Sequence, residues 1–600
     1  MLPRYPGRMD PEIFYVLVGS VVVAAIARRK GWPAPLLVTV VALAVSFIPA
    51  VPNLRIDGHV LLNLVLPPLL YSASLDVSFV SFRRSMPQIR RLGIGLVVVT
   101  TAAVGLVAWL IMPSLTLPGA LLLGAIVAPP DAVSAAAIGR RLGLPRRVMT
   151  VLSGESLIND ATSLTLYRVF AAIVAGATIS LGGGVWQFVV AVVVGVAIGV
   201  IAGLGMHQLR MRISDPVVIG TFGLLAPFGV YAITEHLGGS GVLGVVAMGL
   251  VVGYNAPRTS YATRMQEAPI WLSADFLLES FVFAYIGLQL PPVIAELGAT
   301  QVAGVLWLSA AVLGAVLVVR PLFVYPASAW GVFWSRLRLR QYERALASGA
   351  FRDRVAAAEK RRRGVGVPRR QPTEDELRER FRESQLSWRD NAVISWAGMR
   401  GVVTLATALA AADLAGLDTD AAHAIVVVAF VVTVGTLLLQ GLTLPLLING
   451  LGVADVTDEE EEDRRQLAQV RARTRDAGKV FLDEKRSAWE QTHGPASLVW
   501  FDRFAQRFNR VERDTTEGQR DEPFDKGKNK DAGTVSARPG PNRDELVGLS
   551  KGWLQVRRDV LIAERDAGTL NEEVMRELIA AMDAEELALD TRIAAPGAER

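Results

Sequence analysis

The chain has 600 residues, 51% of them hydrophobic, and a formal net charge of +5 at pH 7. It contains no cysteine, which excludes disulfides, thiolate metal sites and cysteine nucleophiles. The basic excess does not point to nucleic acid, because Arg and Lys collect in alternate loops between long apolar runs.

Apolar runs of roughly 20 residues predict an all-α polytopic membrane protein with about thirteen transmembrane helices. In chain order they cover approximately 11–28, 32–50, 59–76, 92–112, 117–139, 149–176, 184–206, 215–237, 240–254, 270–292, 302–333, 391–415 and 421–449. Arg28-Arg29-Lys30 follows the first run without a small-residue cleavage site, so that run reads as a span and not as a signal peptide. Basic clusters follow the odd-numbered spans: Arg83-Arg84, Arg140-Arg141 with Arg146-Arg147, Arg210 and Arg212, and the Arg-rich 336–382 segment. The positive-inside rule then sets the N-terminus outside and the C-terminus in the cytoplasm of a plasma-membrane protein.

About thirteen spans divide as six, one and six, and the odd spacer makes the second six enter the membrane from the opposite side, as in an inverted-topology repeat. The fifth spans of the two halves, 117–139 and 391–415, are both interrupted, by Pro129-Pro130-Asp131 and by Gly398-Met399-Arg400-Gly401. Proline removes a backbone donor and glycine loosens a helix, so both are predicted to unwind there. Paired breaks in corresponding segments point to an ion site near the midplane.

The sixth span carries Gly154-Glu155-Ser156-Leu157-Ile158-Asn159-Asp160. A charge at that depth costs on the order of 3 kcal/mol or more, so each carboxylate needs a partner, a proton or a cation. On a helix Ser156 and Asp160 share one face, and Glu155 and Asn159 the neighbouring one. With Asp131 approaching from the broken fifth span, the result is an oxygen-rich pocket suited to a hard monovalent cation. Asp160 has no basic residue near it in its own span and reads as the ion ligand. Glu155 reads as half of a structural salt bridge with Arg320 or Arg400, since Arg stays protonated when buried. Glu279 is a further buried carboxylate that either lines an ion funnel or caps a helix.

Residues 1–452 form the membrane domain, in which 334–390 reads as a cytoplasmic basic insertion: a solvated linker or a contact for lipid headgroups. Residues 453–600 read as a soluble cytoplasmic regulatory tail. Within it a helix runs to about Gln491, 514–542 has the composition of a disordered stretch, and 543–592 forms a helical hairpin with Asn571 as an N-cap.

Ala128-Pro129-Pro130-Asp131-Ala132-Val133, the Gly154-to-Asp160 segment and Gly398-Met399-Arg400-Gly401-Val402-Val403 resemble signature segments of the monovalent cation:proton antiporter family 1, which includes bacterial Na+/H+ antiporters and animal sodium/proton exchangers. Leu66-Pro67-Pro68-Leu69-Leu70 and Arg320-Pro321-Leu322 also look like family segments, and the resemblance covers roughly 11–450. It implies two inverted six-helix repeats, a dimer-contact domain and a mobile transport domain, with the fifth and twelfth spans crossing as unwound helices. It implies that Asp160 binds cation and proton with Asp131, Ser156, Asn159 and Pro130 around it. Arg320 would hold Glu155, and Arg400 would balance charge at the crossing. Asn159 before Asp160 resembles the electroneutral members. Where many relatives carry Thr before the fifth-span Asp, this chain carries Pro130, which leaves sodium against potassium open.

The expected function is therefore secondary antiport of Na+ (or Li+ or K+) for H+ in pH and sodium homeostasis. The ions are substrates, no cofactor is expected, and the partners are membrane lipids and a second copy of the chain. A K+/H+ antiporter of the same fold is the nearest alternative. An intramembrane hydrolase is disfavoured, since Ser153 and Ser156 lack a nucleophile elbow. A tail-regulated cation channel would need a pore lined at successive depths, which one clustered site does not supply.

Overall fold

In a computed structural model of the chain, the described residues are 11–49, 56, 58–178, 180–213, 215–295, 301–347, 386–412, 414–453, 457–503, 505–506 and 543–594. Most of the basic insertion and the whole of 514–542 lie outside them. Among the described residues the regular structure is entirely helical. Among these residues eight helices are long and apolar enough to cross a membrane, and four shorter apolar helices accompany them.

The membrane unit begins with α1 (Pro11–Lys30), α2 (Ala34–Ser46) and α3 (58–76). Then come α4 (Phe79–Ile111), α5 (Thr116–Val127), α6 (Ala132–Leu142) and α7 (Arg146–Val174). The middle of the chain supplies α8 (Leu181–Arg212), α9 (Pro216–His236), α10 (Gly241–Asn255) and α11 (Tyr261–Ala295). The unit closes with α12 (Val302–Ala347), α13 (Trp388–Trp396), α14 (Val402–Ala412) and α15 (Thr419–Leu451).

Several boundaries differ from the sequence expectation; the tenth span, for one, begins at Tyr261 and not near 270. α4 starts at Phe79 and not near 92, because the Ser78 hydroxyl caps it by accepting from Ser81 N at 3.2 Å. Its first turns are amphipathic: Phe82 and Ile89 are buried while Arg83 and Arg84 face out, so a hydropathy window passes over them. α12 runs on through 334–347, so the start of the expected insertion continues the eleventh span as helix.

The helices pack in two groups. One contains α4–α7 and α12–α15, the other α1–α3 and α8–α11, and each helix packs mainly within its own group. Small residues set the spacing in the second group. A Cβ on Gly199 of α8 would fall 2.1 Å from the Gly244 carbonyl oxygen of α10, so only glycine permits this approach.

A separate unit spans Thr457–Arg600. In it α16 (Thr457–His493) packs against α17 (Arg543–Ala567), which turns at Gly568 into α18 (Glu572–Ala594). Val470, Leu482 and Trp489 of α16 share a core with Trp553, Leu561, Met575 and Ile579 of the pair. The hairpin is therefore part of a three-helix assembly and does not stand alone. Asn571 Oδ1 accepts from Glu573 N at 3.1 Å, which is N-cap geometry. Asn571→Ala is expected to lower the opening free energy of the first turn of α18 by about 1 kcal/mol, read as faster amide hydrogen exchange there.

Candidate functional site

The site sits where the two broken helices meet α7. The breaks lie at 128–131, between α5 and α6, and at 397–401, between α13 and α14. They touch directly: Asp131 N donates to the Met399 carbonyl at 2.6 Å. Breaking a helix orphans carbonyls at its C-terminal end and N–H groups at the next N-terminus. The chain answers each with charge of the right sign. Arg400, only 2% exposed, donates from Nε to the Val127 carbonyl at 2.9 Å and from Nη2 to the Ala128 carbonyl at 3.3 Å, where α5 ends. Its Nη1 also reaches the Gly398 carbonyl. Asp131 directly precedes the N-terminus of α6 and lies against Gly401, which precedes α14.

α7 clips this crossing in place. Asn159 Nδ2 donates to the Pro130 carbonyl at 2.9 Å, and Ser163 Oγ donates to the Ala125 carbonyl at 2.8 Å. Asn159 and Ser163 are four residues apart and so project along one stripe. Expected as an ion ligand, Asn159 thus has its amide nitrogen committed to the backbone of the break; its Oδ1 is buried with no hydrogen-bond partner among the described residues. Pro130 likewise contributes a carbonyl that Asn159 already uses.

One turn earlier, Glu155 forms a bidentate pair with Arg320, Oε1 to Nη1 at 2.6 Å and Oε2 to Nη2 at 3.0 Å, with side-chain exposures of 2% and 3%. Arg320 Nε also donates to the Ile394 carbonyl of α13 at 3.0 Å. Of the two cations open to Glu155 in the sequence, the fold brings Arg320 to it and sends Arg400 to the carbonyls. Ser156 lines a narrow gap with Pro130, Leu152, Glu155, Arg320 and Ala397.

Asp160 is 7% exposed, on the α7 face next to this stripe, and within electrostatic reach of Asp131. Among the described residues no Lys or Arg forms an ion pair with it. Glu279 of α11, in the other helix group, is within electrostatic reach of Asp131 and Asp275. The arrangement offers carboxylate, hydroxyl and carbonyl oxygens in the neighbourhood of Asp160, a donor set for a proton or a hard monovalent cation.

Sequence reasoning missed several groups. Ser163 and Thr436 both serve the crossing, the latter by accepting from Arg400 N at 3.0 Å. Asp390, 1% exposed, pairs with Arg147 at 3.0 Å and completes a capping box with Ser387 at the start of α13. The spacing of Ser163 from Asn159 was a usable signal; the Thr436 contact had none. Arg168, two turns beyond Asp160 on α7, pairs with Glu235 at 2.5 Å.

Only glycine fits at 401. A Cβ there would lie 2.5 Å from Asp131 Oδ2 and 2.7 Å from Asp131 Cβ. Gly401→Ala is expected to displace the Asp131 carboxylate at a cost of about 1–3 kcal/mol, seen as a roughly 5- to 150-fold weaker apparent cation affinity in vesicle transport.

Residues 16–450 match the family model described as "Sodium/hydrogen exchanger, transmembrane". An uncharacterised Na+/H+ exchanger of Mycobacterium tuberculosis is 30% identical over 96% of this chain and 96% of its own. The Na+/H+ antiporter ApNhaP of Aphanothece halophytica is 27% identical over 77% of this chain and 78% of its own. Among solved structures, the sodium proton antiporter MjNhaP1 of Methanocaldococcus jannaschii at pH 8 superposes with a TM-score of 0.52 at 17% identity. That superposition covers 73% of this chain and 97% of the other, and it speaks to the fold alone.

Proposed function

The chain belongs to the sodium/hydrogen exchanger family, and from that membership we propose that it exchanges Na+ for H+ across the plasma membrane by alternating access. Asp160 binds cation and proton competitively, assisted by Asp131, Ser156 and the oxygens of Pro130 and Asn159. The observation that carries this reading is a buried carboxylate with no basic partner among the described residues, set beside a second carboxylate at two touching helix breaks.

Coupling follows from charge. A bare carboxylate is penalised in the membrane, whereas the same group neutralised by a proton or by Na+ can move between the two sides. Mutually exclusive occupancy then makes each inward proton the condition for an outward cation. Asn159, neutral where a second carboxylate could stand, keeps the carried charge at one, which makes exchange electroneutral. Glu155 with Arg320 and Arg400 are fixed supports of the crossing. The helix group carrying α4–α7 and α12–α15 moves against the other, in a framework of about thirteen spans built as two inverted repeats. The N-terminus lies outside, the tail lies in the cytoplasm as a regulatory element, and the protein works as a homodimer in the lipid bilayer. K+ or Li+ in place of Na+ is the alternative reading, because Pro130 withholds a side-chain oxygen that Thr would supply.

The test uses inverted membrane vesicles with an imposed pH gradient, an acridine dye and a clamped membrane potential. Salt-dependent dequenching on adding NaCl, LiCl or KCl is expected, and the most effective salt names the cation. No response to any salt from well-expressed protein across a wide pH range, with or without the tail, would sink the reading.

A further inference from the structure

Two ion pairs of the membrane unit contrast. Glu155 with Arg320 is sealed inside one helix group. Arg168 with Glu235 instead joins the two groups, α7 to α9, and both side chains are partly exposed, at 38% and 28%. The pair lies at the C-terminal end of α7, the opposite end from Arg147 and its partner Asp390.

Glu235 is preset to receive Arg168. Its Oε1 accepts from Gly241 N, the first residue of α10, at 2.8 Å as well as from Arg168 Nη2 at 2.5 Å. Arg168 Nη1 reaches towards the Gly239 carbonyl at 3.5 Å. The receiving loop is held within its own group: Ser240 N donates to the Ala191 carbonyl of α8 at 2.9 Å. When Arg168 leaves, Glu235 keeps its bond at a helix N-terminus and both charges meet water. A half-exposed pair separates cheaply, whereas parting a buried pair leaves a stranded charge. Arg168 lies eight residues after Asp160, about 12 Å along the same rigid helix, so any displacement that parts the pair also carries Asp160.

We infer that Arg168 and Glu235 form a reversible latch between the two helix groups, closed when Asp160 is shut off from the membrane face at the C-terminal end of α7. The inference rests on the exchange reading above. Opening the latch is the conformational step that admits the cation from that face, and weakening it shifts the population towards the state open there.

The absence of cysteine makes the test direct. The full chain is reconstituted in liposomes as wild type, as Arg168→Cys/Glu235→Cys and as each single substitution. All are treated with a bifunctional methanethiosulfonate and then with a reductant. Cross-linking of the double variant is expected to cut exchange at least about tenfold, with recovery on reduction and no effect on the other proteins. Separately, Arg168→Gln and Glu235→Gln are each expected to lower the apparent KM for cation offered at the latch face about threefold. An inactive wild type overturns the exchange reading. With an active wild type, undiminished exchange after cross-linking, failure of the two positions to cross-link, or an unchanged KM in both glutamine variants overturns the latch alone.

Discussion

Asp160→Asn is expected to abolish cation-dependent proton movement in vesicles while leaving the protein folded and inserted. The amide matches the carboxylate in size, so packing around this residue, 7% exposed on α7, is preserved. What is lost is the charge. A charge-assisted contact contributes about 1.5–3 kcal/mol, so cation affinity falls by roughly 10- to 150-fold on that account. The coupled cycle suffers more, because an amide takes up and releases no proton at accessible pH. Asp160→Glu keeps the titratable group but displaces it by a methylene, and is expected to retain exchange at reduced apparent affinity. The measurement is acridine-dye dequenching at matched protein levels, with size-exclusion profiles as the folding control. Wild-type exchange in Asp160→Asn would remove this residue from the transport site and return attention to Asp131.

Breaking the Glu155–Arg320 pair is expected to be the most damaging change to stability. Both ends are almost fully buried and doubly hydrogen-bonded, and deleting one strands the other's charge. Such truncations cost about 3–5 kcal/mol. Glu155→Ala and Arg320→Ala are thus each expected to lower the melting temperature in detergent by about 5–10 °C. Arg320→Ala is expected to be the worse, because it also drops the bond to Ile394 that ties α12 to α13. The double substitution removes both charges together, so its cost is expected to fall well short of the sum. A double-mutant cycle in melting temperature reads that coupling. Additive effects would mean that the two side chains act independently, and the pair would then be no fixed support of the crossing.

The contrast between these residues explains how far the sequence could be read. Hydropathy and helical periodicity are properties of neighbours along the chain. They sufficed for an all-helical membrane protein, for the breaks at Pro129-Pro130 and Gly398 to Gly401, and for Asp160 as a charge out of place in an apolar run. They also placed Ser156 beside Asp160 on the face of a helix that has not yet met its partners. Family membership followed from the same short segments.

The tertiary structure decided which distant groups meet. Arg320 lies 165 residues from Glu155, and nothing local favours it over Arg400. The choice comes from α12 packing beside α13, while the orphaned end of α5 claims Arg400. Asn159 gains a clip through its amide nitrogen because the Pro130 carbonyl, freed by the break, comes within 2.9 Å. The Ser78 cap lengthens α4 beyond its apolar part, and the Arg168–Glu235 pair exists only because two helix groups face each other. Chain-local patterns specify what each segment can do in a membrane; the pairing of charges and backbone groups depends on distances that arise only after the helices have packed.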